Sequence, residues 1–298
     1  MTKESTNRGA GIIAGIFAAV SFGFIPVFSK PVLAVGVSST CLLFYRFLFA
    51  TVMLFALMLM RRESLRIPVR IIPAMLLLAV FYSISGGFLV LGYEYMAGGV
   101  TQVIHFTYPI WVMLILVVAY RERIRHSSIV AILLAIVGIY CLGVLGGNAS
   151  FIPGANKVAG VVIVLLSGLA CASYMVGVNK TGAHRLSSLA LTFWLILFST
   201  IFFGTISYLN GSLRLLTEPT MVANFTGLAF ISTVISNFLL VYSIKNVGST
   251  LAAILGALEP LTSVLACILV FNEPFTLPIA AGIALIITAV IIVILRNR

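Results

Sequence analysis

Ten apolar runs fall at 10–30, 39–60, 71–92, 98–119, 128–146, 158–179, 188–209, 221–244, 250–270 and 276–295. Each is close to the roughly 20 residues a helix needs to cross a bilayer. In a chain of 298 residues they leave space only for short loops. A water-soluble domain is excluded, since 61% of the residues are hydrophobic and 8% are charged, against about 25% charged in soluble proteins. In lipid each segment must satisfy its own backbone polar groups, so runs of this length read as helices. The expected fold class is all-α, a polytopic membrane protein with ten transmembrane helices. The first run is longer than a signal-peptide core and lacks a cleavage signal, so it reads as a retained span.

A net charge of +11 would point to nucleic acid in a soluble protein. Here the basic residues stand in the gaps between spans, so the lipid bilayer, and no nucleic acid, is the expected partner. Placing the N-terminal tail and every second loop on one side collects fourteen of the eighteen Lys and Arg residues there. Lys30, Lys157 and Arg214 fall on the other side, and Arg46 is inside a span. Positive residues favour the cytoplasm. Both termini are therefore expected there, with the chain in the cell (inner) membrane as a monomer or homodimer. The four cysteines, Cys41, Cys141, Cys171 and Cys267, lie in apolar runs without paired spacing and read as reduced packing residues.

Shifting the sequence by 151 residues lays 97–123 on 248–274, so that Pro109 meets Pro260 and Glu122 meets Glu273. At a shift of 150, Lys30 meets Lys180 and Ser38 meets Ser188. The expected domains are a first five-helix repeat over 1–148 and a second over 149–298. An odd number of spans per half forces the halves into opposite orientations. Such an inverted repeat lets one chain exchange outward-open and inward-open states around a midplane site.

Pro109 and Pro260 sit about ten residues into their spans, where each removes a backbone donor. They are expected to kink those helices and to leave the carbonyls of His105 and Gly256 facing a neighbour, water or solute. Pro26 breaks the first span without a counterpart, because position 176 is valine.

Few polar residues remain for chemistry. Arg46, inside span two, costs roughly 2.5–3.5 kcal/mol to insert. It is an anchor for an anionic group of a solute, or a structural partner of Glu94 or Glu259, or it snorkels to the headgroups. Glu259 is the acidic residue deep in a span. It is a candidate proton carrier or amine counter-ion, or a packing carboxyl paired with arginine, and its repeat partner is Tyr108. His105, with Gln102 one turn before it, is a candidate cavity-facing hydrogen-bond donor, or else bonds a neighbouring carbonyl. Tyr82, Trp111, Trp194 and Asn237 are weaker candidates, since Trp and Tyr near span ends commonly anchor at the interface. Three histidines and no Asp make a metal cluster an unlikely design. Phosphate loops, nucleophile elbows and paired carboxylates are missing, so neither a cofactor nor an enzymatic role is expected.

Ten spans, termini inside, a five-plus-five inverted repeat, Arg46 within FYRFLFA (44–50) and the stretch ALEPLTSVLACILVFNEP (257–274) resemble the drug/metabolite transporter superfamily, EamA type. In the first repeat the closing Glu of that pattern falls at Glu122 within RER (121–123). The resemblance covers the whole chain. It implies secondary transport of small organic solutes, often export of amino acids or related metabolites, through a cavity between the halves. Basic clusters of the kind that handle sugar phosphates are not evident in the spans, which favours zwitterionic or amphipathic cargo, with the proton as the candidate coupling ion. The alternatives are a non-transporting scaffold or a facilitative channel.

Overall fold

The computed structural model describes residues 7–121, 151–216, 218–256 and 258–295, with isolated positions between 130 and 141. Most of the predicted fifth run, 128–146, and Glu122 lie outside the described residues. The described helices are α1 (Arg8–Gly23), α2 (Ile25–Ala34), α3 (Ser39–Met60), α4 (Ile72–Gly92), α5 (Gly98–His105), α6 (Tyr108–Tyr120), α7 (Lys157–Lys180), α8 (Ser188–Leu209), α9 (Pro219–Ala229), α10 (Ser236–Leu255), α11 (Leu258–Phe271) and α12 (Leu277–Leu295). Seven stretches among the described residues are long and apolar enough to cross a membrane, with α11 and α12 as shorter apolar helices. The chain is a multi-pass membrane protein.

Helix starts are set by short polar side chains that accept orphan amides of the first turn. Asn7 accepts from Ala10 at 3.1 Å and Asn156 from Ala159 at 3.1 Å, opening α1 and α7. Ser38 accepts from Cys41 at 3.2 Å and Ser187 from Ala190 at 3.1 Å, opening α3 and α8. Two helices end alike in left-handed residues, α6 at Arg121 (φ 56°) and α11 at Asn272 (φ 52°).

Pro109 does not bend a continuous helix. The fourth run is two helices, and Pro109 stands in the first turn of α6, where a missing N–H costs nothing. Pro260 likewise lies in the first turn of α11. The helix before it is broken at Gly248 (φ 83°, ψ 162°), so the predicted span 250–270 is assembled from the end of α10 and from α11. The Gly256 carbonyl is not left free, because the Glu259 amide donates to it at 2.9 Å. The backbone of α7 closes over the His105 carbonyl, where a Cβ on Gly168 would stand 3.0 Å from it.

Packing pairs α1 with α10, α4 with α7, and α3 with α8. It also sets α5 and α6 on α7, α11 on α1, and α5 on α11. Hydroxyls are the polar glue of these contacts: Thr51 meets Thr200 at 2.8 Å and Ser83 donates to Ser199 at 3.0 Å. Large apolar residues such as Val52, Leu59, Leu269 and Leu277 are exposed, as a lipid solvent requires, whereas Arg46, Gln102, His105 and Glu259 are buried.

Contacts between helix ends fall into two groups. At one end Asn7 bonds Asn246, Lys245 bonds the Leu186 carbonyl, and Ser187 bonds Glu63. At the other, Lys30 meets Glu273, Ser39 bonds Glu94, Thr40 meets Ser212, and Ile152 donates to the Tyr95 carbonyl.

Candidate functional site

Between these two ends lies a cavity walled by α1, α3, α4, α7 and α10, by Ile25 of α2 and by the ends of α5, α6 and α11. Gly15, Ala18 and Ala19 of α1 line it, Gly15 also letting α1 close on Ser243 and Leu255, while Phe22, Leu89 and Leu240 give it an apolar body. Arg46, Tyr82, His105, Tyr108 and Glu259 converge on it. Gln102, Trp111 and Asn237 are not among its lining residues.

Arg46 comes from the middle of α3 and is 2% exposed. Its Nε donates to Thr233 Oγ1 at 2.7 Å and its Nη2 to the Ser232 carbonyl at 3.0 Å. Both acceptors belong to a π-helical turn, Phe230–Ile235, whose wider hydrogen-bonding frame offers a backbone carbonyl sideways. The guanidinium also stands over the Phe47 ring at 5.4 Å. Among the described residues it has no ion-pair partner. Glu94 instead accepts from Ser39, and the pairing with Glu94 or Glu259 offered by the sequence is not made. Nη1 makes no bond to protein among the described residues, which leaves a donor on the cavity wall.

Glu259 enters from the first turn of α11. Gln102 Nε2 donates to its Oε1, and the Tyr108 hydroxyl stands 3.5 Å from its Oε2. Tyr93 donates to Gln102 Oε1 at 3.0 Å, fixing the amide so that its NH₂ faces the carboxyl. Gln102 thus acts behind Glu259. Tyr108 reaches past Gly256, where a Cβ would lie 1.8 Å from its hydroxyl; only glycine fits there.

His105 Nδ1 lies 2.9 Å from Ser167 Oγ, and that hydroxyl donates its one proton to the Ser85 carbonyl at 2.6 Å. Nδ1 must therefore carry hydrogen toward Ser167. Nε2 is then an acceptor in the neutral ring and a donor in the protonated one. Asn237 donates to the Thr233 carbonyl at 2.8 Å and supports the π-helical turn. The Trp111 and Trp194 indole nitrogens are buried without a partner among the described residues.

Sequence reasoning missed Tyr174, Ser167 and Thr233. Tyr174 lines the cavity, packs edge-on against Tyr82 at 5.3 Å, and has a buried hydroxyl without a partner among the described residues. Nothing in the periodicity of an apolar helix distinguishes it from a core tyrosine. Thr233 bonds a residue 187 positions away.

The chemistry on offer is recognition: one guanidinium, one carboxyl, three tyrosine rings and a histidine acceptor around an apolar space. Among the described residues no cluster of His, Cys, Asp and Glu fit for a metal occurs.

The model of the EamA-like transporter family matches residues 9–144 and 158–295. An uncharacterized transporter of Archaeoglobus fulgidus is 26% identical over 235 residues, 78% of this chain and 81% of that protein. The uncharacterized transporter YvbV of Bacillus subtilis is 24% identical over 280 residues, 91% of this chain and 85% of that protein. A solved crystal structure shares the fold with a TM-score of 0.72 at 16% identity, covering 98% of this chain and 99% of the other.

Proposed function

The chain belongs to the EamA-like transporter family, and from that premise we propose that it is a secondary carrier of small zwitterionic or amphipathic metabolites of the amino-acid kind. It exports them across the cell membrane by alternating access. Arg46 takes the carboxylate of the solute, and Glu259 faces its ammonium or carries a proton in exchange. Tyr82, Tyr108 and Tyr174 flank the apolar part.

The observation that carries the reading is the placement of one fixed cation and one carboxyl on the same cavity. Arg46 belongs to the first matched stretch and Glu259 to the second. A solute spanning them touches both halves, which couples its binding to their relative movement.

The inverted arrangement rests on four observations. The family model matches twice in tandem. The caps Asn7 and Ser38 recur as Asn156 and Ser187, each 149 residues on, and the left-handed ends Arg121 and Asn272 recur at 151. Exchanging each helix for its counterpart turns the α1–α10 contact into α7–α4 and returns α3–α8 to itself. Finally, following the spans from Asn7 brings Arg121 back to the end of the molecule where Asn7 lies, whereas Phe151 bridges Met96 at the other end. With the apolar run 128–146 of the sequence read as a further span, the reading is five spans per half and ten in all. The end that carries Asn7 also carries Arg61, Arg62, Arg185 and Lys245, and on the positive-inside rule it is the cytoplasmic face.

Counterflow in proteoliposomes tests the proposal. Proteoliposomes loaded with one unlabelled amino acid at a time should accumulate the labelled form of at least one, and Arg46→Ala should cut the signal about tenfold or more at low solute concentration. Absence of exchange across amino acids and amines, with folded protein, would contradict it.

A further inference from the structure

Beyond the cavity, at the end where Lys30 lies, a part-buried carboxylate joins Lys30 and the start of α5. Glu273 Oε1 is 2.5 Å from Lys30 Nζ and accepts from the Gly98 amide at 2.9 Å, and its Oε2 accepts from the Gly99 amide at 3.2 Å. The side chains of Lys30 and Glu273 are 23% and 12% exposed. Lys30 also stands over the Phe271 ring at 5.0 Å. The carboxylate therefore caps the start of α5, where helix amides carry partial positive charge. Contact here is as close as backbone allows, since a Cβ on Gly98 would meet Pro26 at 2.9 Å and one on Gly99 would meet Val264 at 3.1 Å.

We propose that this Lys30–Glu273–α5 junction is the latch that closes the cavity toward the outer face, made in the conformation seen here and broken when the carrier opens outward. The inference rests on the alternating-access reading above. The whole of α5 is buried, and at its far end Gln102 and His105 form the cavity wall or back it, so fixing its first turn fixes that wall. A part-buried pair gains little net free energy once desolvation is counted, yet removing one member leaves the other without its partner at a packed contact. Such a pair selects one arrangement and still releases when both groups rehydrate together. At the opposite end Lys180, the sequence counterpart of Lys30, is exposed and lies 4.8 Å over the Tyr120 ring. Glu122, the sequence counterpart of Glu273, lies outside the described residues.

Cys171, which lines the cavity, is the reporter. In a background carrying Cys41→Ala, Cys141→Ala and Cys267→Ala, a charged, membrane-impermeant methanethiosulfonate is applied separately to each face of sealed vesicles. Lys30→Ala and Glu273→Gln should each raise the labelling rate from the outer face by about fivefold or more, and lower it from the inner face, as a population shift requires. Lys30→Arg should keep the parent rate. Should Glu273→Gln fail to accumulate as monodisperse protein, Lys30→Met gives the same reading. Outer-face labelling unchanged in the folded variants, or an equal rise from both faces, would overturn the latch. A responsive Cys171 in a protein that moves no solute would instead sink the transport reading and leave the latch standing.

Discussion

Arg46 and Thr233 are joined by a 2.7 Å hydrogen bond from Nε to Oγ1, across 187 residues of sequence and inside the bundle. Thr233 passes its own proton to the Leu228 carbonyl at 2.9 Å, a five-residue reach that belongs to the π-helical turn. The distortion of the backbone and the fixing of the arginine are one feature.

Replacing Thr233 with valine keeps the volume and removes the acceptor. A buried donor left without a partner costs about 1–3 kcal/mol, so Thr233→Val should lower the thermal unfolding midpoint in detergent, while Thr233→Ser should stay near the parent. Equal midpoints for the valine and serine variants would show that the bond does not hold Arg46.

The guanidinium has two of its donors occupied by protein, so a solute meets what is left. Arg46→Ala should raise KM in counterflow about tenfold to a hundredfold for carboxylated solutes, the range of a charge-assisted bond, and leave the corresponding amines unaffected. Arg46→Lys should also fail, because an ammonium does not reproduce the planar fork that reaches Thr233, Ser232 and ligand together.

Glu259→Gln imitates a carboxyl that is always protonated. If this side chain carries the coupling proton, exchange in the variant should stay across the physiological pH range at the level the parent shows at low pH. A variant whose flux follows pH as the parent's does would remove Glu259 from the coupling.

Gly256 and Tyr108 should behave as a coupled pair. Gly256→Ala places a methyl 1.8 Å from the Tyr108 hydroxyl, and overpacking of this kind costs about 1–3 kcal/mol. Adding Tyr108→Phe should restore part of the loss, giving a double-mutant cycle with non-zero coupling in thermal stability. Additive effects would mean that the two side chains do not meet.

The legible part of this molecule is what repeats locally. The apolar run 39–60 marks α3 to the residue, and Arg46, Glu259 and His105 announce themselves because a polar group in lipid is expensive. Pro109 and Pro260 read as kinks within continuous spans and not as helix starts, since that depends on the turn at Phe106 and Thr107 and on the positive φ of Gly248. The match of Ser38 with Ser188 misses by one, because the repeat drifts from 149 to 151 along the chain and the cap is Ser187. Tyr174, Thr233 and the union of Lys30 with Glu273 across 243 residues were not legible. Those contacts exist only after two distant spans have packed, and nothing in either span names the other.

The proposed carrier mechanism requires two halves of opposed orientation, and the sidedness of Asn7 and Asn156 tests it most directly. Both are exposed helix caps at equivalent places in the repeat. In a cysteine-free background, Asn7→Cys should react with an impermeant thiol reagent from the cytoplasmic face alone and Asn156→Cys from the outer face alone. Reaction of both from one face would contradict the account.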